Sequence, residues 1–196
     1  MSALLEFIRT YTSHHHTLQH DTSDMVAYLR PRVHLARKNV LAQALSKELS
    51  SLDTTILYLG GSQLFDQQRP DSDIDLWCLG NSISPHIHHC LEETWNTEVD
   101  IFYISRDMYN DIKTQQQTGD WTSVLQQEDE DGKNMLGSFL ELLALHRLSP
   151  PIWHTRDITP HISTIVQPFY DIPDFTIPIQ YVLSRIYSNV LQKEPP

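Results

Sequence analysis

Cysteine is scarce in this sequence, which contains Cys78 and Cys90 among 196 residues. Neither belongs to a Cys-x-x-Cys pair or to a disulfide-rich pattern, so the cysteine content favours a reducing, cytoplasmic setting. Cys78 lies within an apolar, strand-like run, and we expect its side chain in the hydrophobic core.

Long hydrophobic runs are also missing. A membrane-spanning helix needs about 20 consecutive apolar residues, and no segment approaches that length. The first residues, MSALLEFIRTY, lack the basic region and the apolar stretch of a signal peptide. We therefore expect a soluble cytoplasmic protein without a membrane partner.

Basic residues are few as well. Fourteen Lys and Arg face 25 Asp and Glu, which gives a formal net charge of -11. This balance disfavours a broad basic surface that would grip a phosphate backbone, so nucleic acid is not an expected partner. A cationic small molecule or another protein suits the charge better.

The apolar residues that are present predict an α/β core between two helical regions. With 40% hydrophobic residues, the chain can bury one ordinary domain core, whereas two full domains would be crowded. We expect an N-terminal helical region at 1–52, a core at 53–106 and a helical C-terminal region at 107–196 that packs on the core.

Three short apolar runs in the core region predict buried strands. They are TILYLGG at 55–61, DIDLWCLG at 73–80 and EVDIFYIS at 98–105. A helix between the last two runs is expected to begin with Ser84 as its N-cap and Pro85 at its first position.

The N-terminal region carries helical patterns. We expect a short helix at 3–11 and a longer one after Ser23, which Pro31 would start or kink. The apolar positions of the longer helix are Val33, Ala36, Val40, Ala44, Leu45 and Leu49.

The C-terminal region is predicted to be almost entirely helical. One or two helices are expected at 106–127, followed by a solvated acidic turn, EDEDGKN. A strongly apolar helix at 135–148 would end before Pro150. The last helix, at 177–192, would follow a proline-bearing connection.

An acidic pattern at the start of the second strand indicates chemistry. Successive side chains of a strand point to opposite faces, so Asp73 and Asp75 should project to one side while Ile74 enters the core. The two carboxylates would lie about 6 to 7 Å apart along the strand and repel each other. A hard divalent cation such as Mg²⁺ would remove that cost.

A third acid interrupts the next strand. Asp100 lies between Val99 and Ile101, and it would join the other two carboxylates if the strands are neighbours. Three such groups can hold two metal ions and stabilise both the attacking and the leaving oxygens of a displacement at phosphorus.

The turn before these acids has the composition of a phosphate-binding turn. Gly60 and Gly61 would let backbone N–H groups approach a phosphate, and a helix that opens after them would add its positive end. Ser62 can donate its hydroxyl to the same group. Metal ions on one side and these donors on the other would bind a triphosphate.

These motifs resemble the signature of the nucleotidyltransferase superfamily typified by DNA polymerase beta. The matching residues are LGGS at 59–62, ten intervening residues, DID at 73–75 and a later acid in VDI at 99–101. The phrase RPDSDIDL is similar to the minimal and antibiotic-modifying members, such as aminoglycoside adenylyltransferases.

The resemblance implies both a fold and a reaction. The fold would be α/β (α+β), with a small mixed β-sheet core flanked by helices and a mainly helical C-terminal region. Asp73 and Asp75 would ligate Mg²⁺, Asp100 would complete the metal site and help activate the acceptor hydroxyl, and Gly61 and Ser62 would bind the nucleotide phosphates. A nucleoside monophosphate, with ATP as the expected donor, would be transferred to a small-molecule or protein acceptor.

Two other functions stay open. Minimal nucleotidyltransferases are often antitoxins, which silence a helical ribonuclease toxin by nucleotidylating or binding it, although the long N-terminal region departs from the most minimal members. A polymerase acting on the 3′ end of RNA or DNA is the third hypothesis, against which the low basicity counts.

Several side chains have two interpretations. Glu141 interrupts an apolar helix and is either a general base in the cleft or a residue on the solvent face. Lys133 and Arg147 are either phosphate partners or helix-surface charges. The motif itself has a structural alternative, a turn followed by a solvated strand edge, which does not explain Asp100.

Metal ligands other than aspartate are also conceivable. His86, His89 and Cys90 have spacings of three and four that would suit zinc on one helix, but no fourth ligand is evident, so a polar helix face is the preferred interpretation. Asp71 is either a turn residue or a further ligand, and Arg69 is either solvated or a phosphate partner; for both, the solvated loop position is the preferred interpretation.

Overall fold

The computed structural model of the chain describes residues 6–7, 20–48, 55–65, 72–80, 83–129, 131–154 and 162–193. Most of the predicted helix at 3–11 lies outside the described residues, as do Leu49, Arg69 and Asp71.

A four-stranded mixed sheet forms the centre of the fold. Its strands are β1 (Thr55–Leu59), β2 (Ile74–Gly80), β3 (Val99–Ile104) and β4 (Trp153–His154), in the spatial order β3-β2-β1-β4. β1 runs antiparallel to both β2 and β4, whereas β2 and β3 are parallel. The expectation of a mixed α/β fold is thereby confirmed.

The three predicted strands are present because their residues suit a sheet that is covered on both faces. In β2 the consecutive side chains from Leu76 to Leu79 are all buried, including Cys78, which confirms its core position. Such continuous apolar runs are typical of strands with helices on both sides. β4 was not predicted, since two residues are too few to show a period.

Helices account for most of the remaining described residues. They are α1 (Thr22–Leu29), α2 (Leu35–Glu48), α3 (Pro85–Trp95), α4 (Arg106–Thr118), α5 (Thr122–Leu125), α6 (Met135–Leu148), α7 (Ile162–Tyr170) and α8 (Pro173–Lys193). Two 3-10 helices lie at Arg30–Arg32 and Ser62–Phe65.

Side-chain caps fix where several of these helices begin. The hydroxyl oxygen of Ser84 accepts a hydrogen bond from the backbone N–H of Ile87, and Pro85 occupies the first helical position, as predicted. Ser105 caps α4 and Asn134 caps α6 in the same way. Each cap satisfies a backbone donor that the helix itself leaves unpaired.

Pro31 divides the N-terminal helical run. It lies in the 3-10 helix between α1 and α2, so the run is two helices. The prediction that Val40 faces the core was wrong, because its side chain is 57% exposed while Leu41 and Leu45 are buried. Leu41 and Leu45 define the buried face of α2, and the side chain of Val40, one residue before Leu41, points about 100° away from that of Leu41 around the helix axis. The side chains of Ala36 and Ala44 are not described.

α6 is the central helix of the fold. Every side chain from Leu136 to Leu145 is buried, because the helix contacts β1, β2 and β3 on one side and α8 on the other. Its predicted bounds, 135–148, are confirmed. A helix that is apolar all round is expected at such a position.

Two differences concern the region after α6. α7 was not predicted, because Pro168 lies inside it and prolines mark the surrounding segment as a connection. α8 starts at Pro173, earlier than the predicted 177. Proline is well accommodated at the first position of a helix, where its missing N–H is not needed.

A single hydrophobic cluster includes side chains from all three predicted regions, for example Leu29, Leu57 and Leu183. The boundaries at 52/53 and 106/107 stay a prediction. Among the described residues, no helix is both long enough and apolar enough to cross a membrane.

Candidate functional site

The structure brings the three aspartates together. β2 and β3 are adjacent and parallel, with Asp75 directly opposite Asp100 in the register, and Asp73 immediately precedes β2. One carboxylate oxygen from each residue lies within 4.8 Å of the others. Within the described ranges, this is the only group of three or more His, Cys, Asp or Glu side chains close enough to hold a metal ion.

Strand alternation explains this convergence. Ile74 is fully buried on the opposite face of β2, so the acids share the other face. On that face the next pair in the register is Trp77 with Phe102, whose rings stack with centroids 4.6 Å apart. The aspartates therefore lie beside the stacked rings of Trp77 and Phe102, on the same face of the sheet.

Asp75 is the most strongly perturbed acid of the group. Burial raises its pKa to about 6, and the neighbouring charges of Asp73, Asp100 and Glu141 add to the shift, while Lys133 opposes it. Burial and repulsion both penalise the ionised form. A divalent cation would therefore relieve an electrostatic cost that is present in the folded chain.

The glycine turn packs directly on the site face of β2. The backbone N–H of Gly60 donates to the carbonyl oxygen of Asp75 at 3.0 Å, and Gly61 has a φ of 58°. A Cβ at Gly60 would lie 2.1 Å from Cζ3 of Trp77, and one at Gly61 would lie 1.9 Å from Oδ2 of Asp75. Only glycine fits at either position without displacing these side chains.

The helix expected after the turn is short. Ser62 begins a 3-10 helix of four residues, so the contribution of a helix dipole is smaller than expected. The N–H of Gly60 is engaged by the carbonyl oxygen of Asp75, contrary to its predicted role as a phosphate donor, so the donors left in the turn are the N–H of Gly61 and the hydroxyl of Ser62.

Gln63 positions the loop that carries Asp73, a role that the sequence did not reveal. Its buried side-chain amide donates to the carbonyl oxygens of Ser72 and Asp73 at 3.3 and 3.2 Å, and its Oε1 accepts from Nε of Arg37 at 2.9 Å. A glutamine between two apolar runs carries no pattern that would predict this role.

A cavity of about 310 Å³ adjoins the turn. Gly61, Ser62 and Trp77 line it on the sheet side. Glu141 of α6 and the cations Arg185 and Lys193 of α8 line it on the helix side. The cavity lining thus combines the glycine turn with basic groups, whereas Asp73, Asp75 and Asp100 are not among the residues that line it.

Glu141 does not lie on the solvent face, so that interpretation was wrong. It is 7% exposed, since α8 covers this side of α6, and its Oε1 accepts from Nη2 of Arg185 at 2.6 Å. The side chain is directed into the cavity as a member of an ion pair.

We expect Arg185→Met to destabilise the protein by about 1–2 kcal/mol, because it leaves the Glu141 carboxylate nearly buried without its partner. Urea unfolding would measure the change. The double variant Arg185→Met/Glu141→Leu should recover most of the loss. Arg106→Met, on the exposed start of α4, is the control. Equal stabilities of the Arg185→Met and Arg106→Met proteins would contradict the expectation.

Lys133 and Arg147 have different surroundings. Nζ of Lys133 lies 3.1 Å from Oδ1 of Asp100, so the interpretation of Lys133 as a helix-surface charge was wrong. Arg147 is not among the residues that line the cavity, and its guanidinium packs over the ring of Tyr170.

The histidines of α3 form no comparable group. Nε2 of His86 lies 3.9 Å from Sγ of Cys90, and Nε2 of His89 lies 3.2 Å from Oε1 of Glu93. Within the part of the chain that the structure describes, these side chains do not make a three-ligand cluster.

Comparison with known proteins adds no relative: no family model, no curated protein and no solved structure matches the chain. The functional interpretation therefore rests on the residues and their geometry.

Proposed function

We propose that the protein is a Mg²⁺-dependent nucleotidyltransferase that transfers a nucleoside monophosphate, with ATP as the expected donor, to a hydroxyl group of a small-molecule or protein acceptor. The observation that carries the proposal is the meeting of Asp73, Asp75 and Asp100 within 4.8 Å, beside a glycine turn packed on Asp75. Metal ligands and phosphate donors are the two parts that such a reaction needs.

The donor set suits magnesium. Carboxylate oxygens are the ligands that Mg²⁺ prefers, and the raised pKa of Asp75 reflects burial and a repulsion that a cation would neutralise. When bound, the ion would stabilise the negative charge that develops on the phosphates.

The surroundings of the cavity suit a triphosphate. Gly61 and Ser62 line the cavity together with Lys193 and with Arg185, which also pairs with Glu141. Both cations belong to α8 and are eight residues apart, which places them two turns apart on one helix face. Charged donors of this kind bind phosphate oxygens well.

In this proposal Asp100 meets the acceptor. Its side chain is 43% exposed, so an acceptor hydroxyl can approach it from solvent. In the proposed reaction the hydroxyl oxygen bonds to the α-phosphorus, the bond from that phosphorus to the bridging oxygen breaks, and pyrophosphate leaves. Asp100 would take the proton of the hydroxyl.

The acceptor class follows from charge. A net charge of -11 attracts cations, so a polyamine-like antibiotic is the first candidate. A protein acceptor, including a helical ribonuclease toxin, is the alternative.

The test combines nucleotide binding with product analysis. We expect at least one nucleoside triphosphate to bind only with Mg²⁺ or Mn²⁺ present, as measured by calorimetry with non-hydrolysable analogues. Incubation with a candidate acceptor should then release pyrophosphate and add one nucleoside monophosphate to the acceptor, detected by mass spectrometry. Addition to an aminoglycoside would identify a small-molecule acceptor, whereas addition to a toxin would identify a protein acceptor.

Asp107→Asn provides the matched control, since Asp107 is an exposed acid in the first turn of α4. Absence of metal-dependent binding for all four nucleoside triphosphates would contradict the proposal. So would pyrophosphate release that is equal in the wild type and in Asp75→Asn.

A further inference from the structure

The carboxylates of the site already have one cation of the chain beside them. Nζ of Lys133 lies 3.1 Å from Oδ1 of Asp100, and the lysine side chain is 28% exposed. The same ammonium lies over the ring of Phe102, 4.2 Å from its centroid. Phe102 follows Asp100 by two residues on the same face of β3, so one strand face holds the ammonium at two points.

Hydrogen bonds also fix the backbone around Lys133. The N–H of Lys133 donates to Oδ1 of Asp129 at 2.8 Å, and its carbonyl oxygen accepts from the N–H of Asp129 at 2.8 Å. The amide of Asn134 donates to the carbonyl oxygen of Leu125, and the same side chain caps α6. Hydrogen bonds thus fix the turn that carries Lys133. Less conformational entropy is therefore lost when its ammonium pairs with Asp100.

A surface ion pair between two free side chains is worth little, but this pair differs in two respects. Its lysine is anchored at the backbone, and its ammonium has an aromatic face as a second partner. A hydrated metal ion would have to displace the ammonium to use the same oxygen of Asp100.

The charges of the three aspartates and of Lys133 indicate how many metal ions the site binds. Three carboxylates carry three negative charges, and Lys133 neutralises one, so the remaining charge matches a single divalent ion. We propose that the site binds one divalent cation, through Asp73 and Asp75, and that Lys133 on Asp100 takes the place of a second metal ion. This inference rests on the proposed function, in which the aspartates hold Mg²⁺, and it replaces the two ions expected from the sequence.

The lysine would have a defined part in the reaction. The ammonium of Lys133 belongs to the chain, so it supplies positive charge near the acceptor and, unlike a metal ion, does not dissociate into solvent. Lys133 would thereby be a permanent counterion on the acceptor side, while Asp73 and Asp75 would hold the divalent ion that supplies positive charge to the triphosphate.

The test counts bound metal directly. Mn²⁺ would be titrated into the full chain without nucleotide, and free Mn²⁺ would be read from its paramagnetic resonance signal. We expect one Mn²⁺ per chain for the wild type and for Lys133→Arg, and two for Lys133→Met. Lys113→Met is the matched control, because Lys113 also lies over an aromatic ring, that of Tyr109, but outside the site. That variant should bind one ion.

Aspartate variants give an independent check. Asp100→Asn should still bind one Mn²⁺ with an affinity within about tenfold of the wild type, whereas Asp75→Asn should lose the ion. Circular dichroism spectra of all variants would establish that they are folded.

The outcomes separate this inference from the proposed function. Two Mn²⁺ ions in the wild type, or a single Mn²⁺ ion in Lys133→Met, would overturn the role of Lys133 and leave the proposed function standing. Failure of the wild type to bind any Mn²⁺ would overturn both.

Discussion

Asp75→Asn should strongly reduce the proposed nucleotidyl transfer and, at the same time, make the metal-free protein more stable at neutral pH. The loss of activity should be about a thousandfold, because a metal ion that polarises phosphate oxygens contributes several kcal/mol to the transition state. The gain in stability follows from removing a buried charge that Asp73, Asp100 and Glu141 all repel.

The stability effect has a definite pH dependence. The pKa of Asp75 is raised in the folded chain to about 6 from its ordinary value of 3.8, so the folded state binds its proton more tightly than the unfolded state. Between these two values the cost of ionising Asp75 develops as the pH rises, and above pH 6 it is fully present. It amounts to about 2–3 kcal/mol.

Urea unfolding of metal-free protein at pH 4 and pH 8 would measure this effect. Asp75→Asn should exceed the wild type in stability at pH 8 and differ little from it at pH 4. Added Mg²⁺ should stabilise the wild type at pH 8 and leave the variant unchanged. Asp107→Asn should follow the wild type throughout, and a variant less stable than the wild type at pH 8 would contradict the expectation.

Gly61→Ala should have the second largest effect. The added Cβ would lie 1.9 Å from Oδ2 of Asp75, so either the turn or the carboxylate must move. The φ of 58° at Gly61 adds a backbone cost of about 1 kcal/mol for any other residue. We expect a total destabilisation of about 2–4 kcal/mol and at least a tenfold loss of metal affinity, since Asp75 is displaced.

Gly119→Ala separates the two contributions. Gly119 has a φ of 71° at the end of α4, and a Cβ there would meet no atom within 4 Å. This variant should show the backbone cost alone, with metal affinity unchanged. Calorimetric titration of Mn²⁺ and urea unfolding would compare the two proteins. Equal metal affinities would show that the close approach of Gly61 to Asp75 has no bearing on the metal site.

The sequence predicted the part of the site that depends on strand geometry. Alternation along β2 places Asp73 and Asp75 together whatever the surrounding packing, and the apolar run around Asp100 marks a neighbouring strand. The glycine turn was likewise evident from composition. These features are local, so a short window of sequence contains the information that determines them.

The charged partners of the site were not predictable in the same way. Lys133 lies in EDEDGKN, a composition typical of a solvated turn, and its approach to Asp100 depends on how that turn packs against β3. Glu141 belongs to a helix that is buried on every side, which only the position of α8 explains. Such contacts join residues far apart in the chain, and no periodicity reports them.

The wrong predictions for Val40 and α7 also came from local sequence patterns. Val40 was assigned to the core from its spacing alone, but the face of α2 that packs inward is the one that carries Leu41 and Leu45. α7 was overlooked because its proline was taken as the mark of a connection, whereas Pro168 lies inside the helix.

The central helix α6 connects the two charged partners of the site. Lys133 precedes its first residue by two positions, and Glu141 lies two turns further along. α6 packs against the sheet on one side and against α8 on the other. We therefore expect a ligand that displaces Glu141 to change the ion pair between Lys133 and Asp100 as well, because one helix carries Glu141 and follows directly on the turn of Lys133.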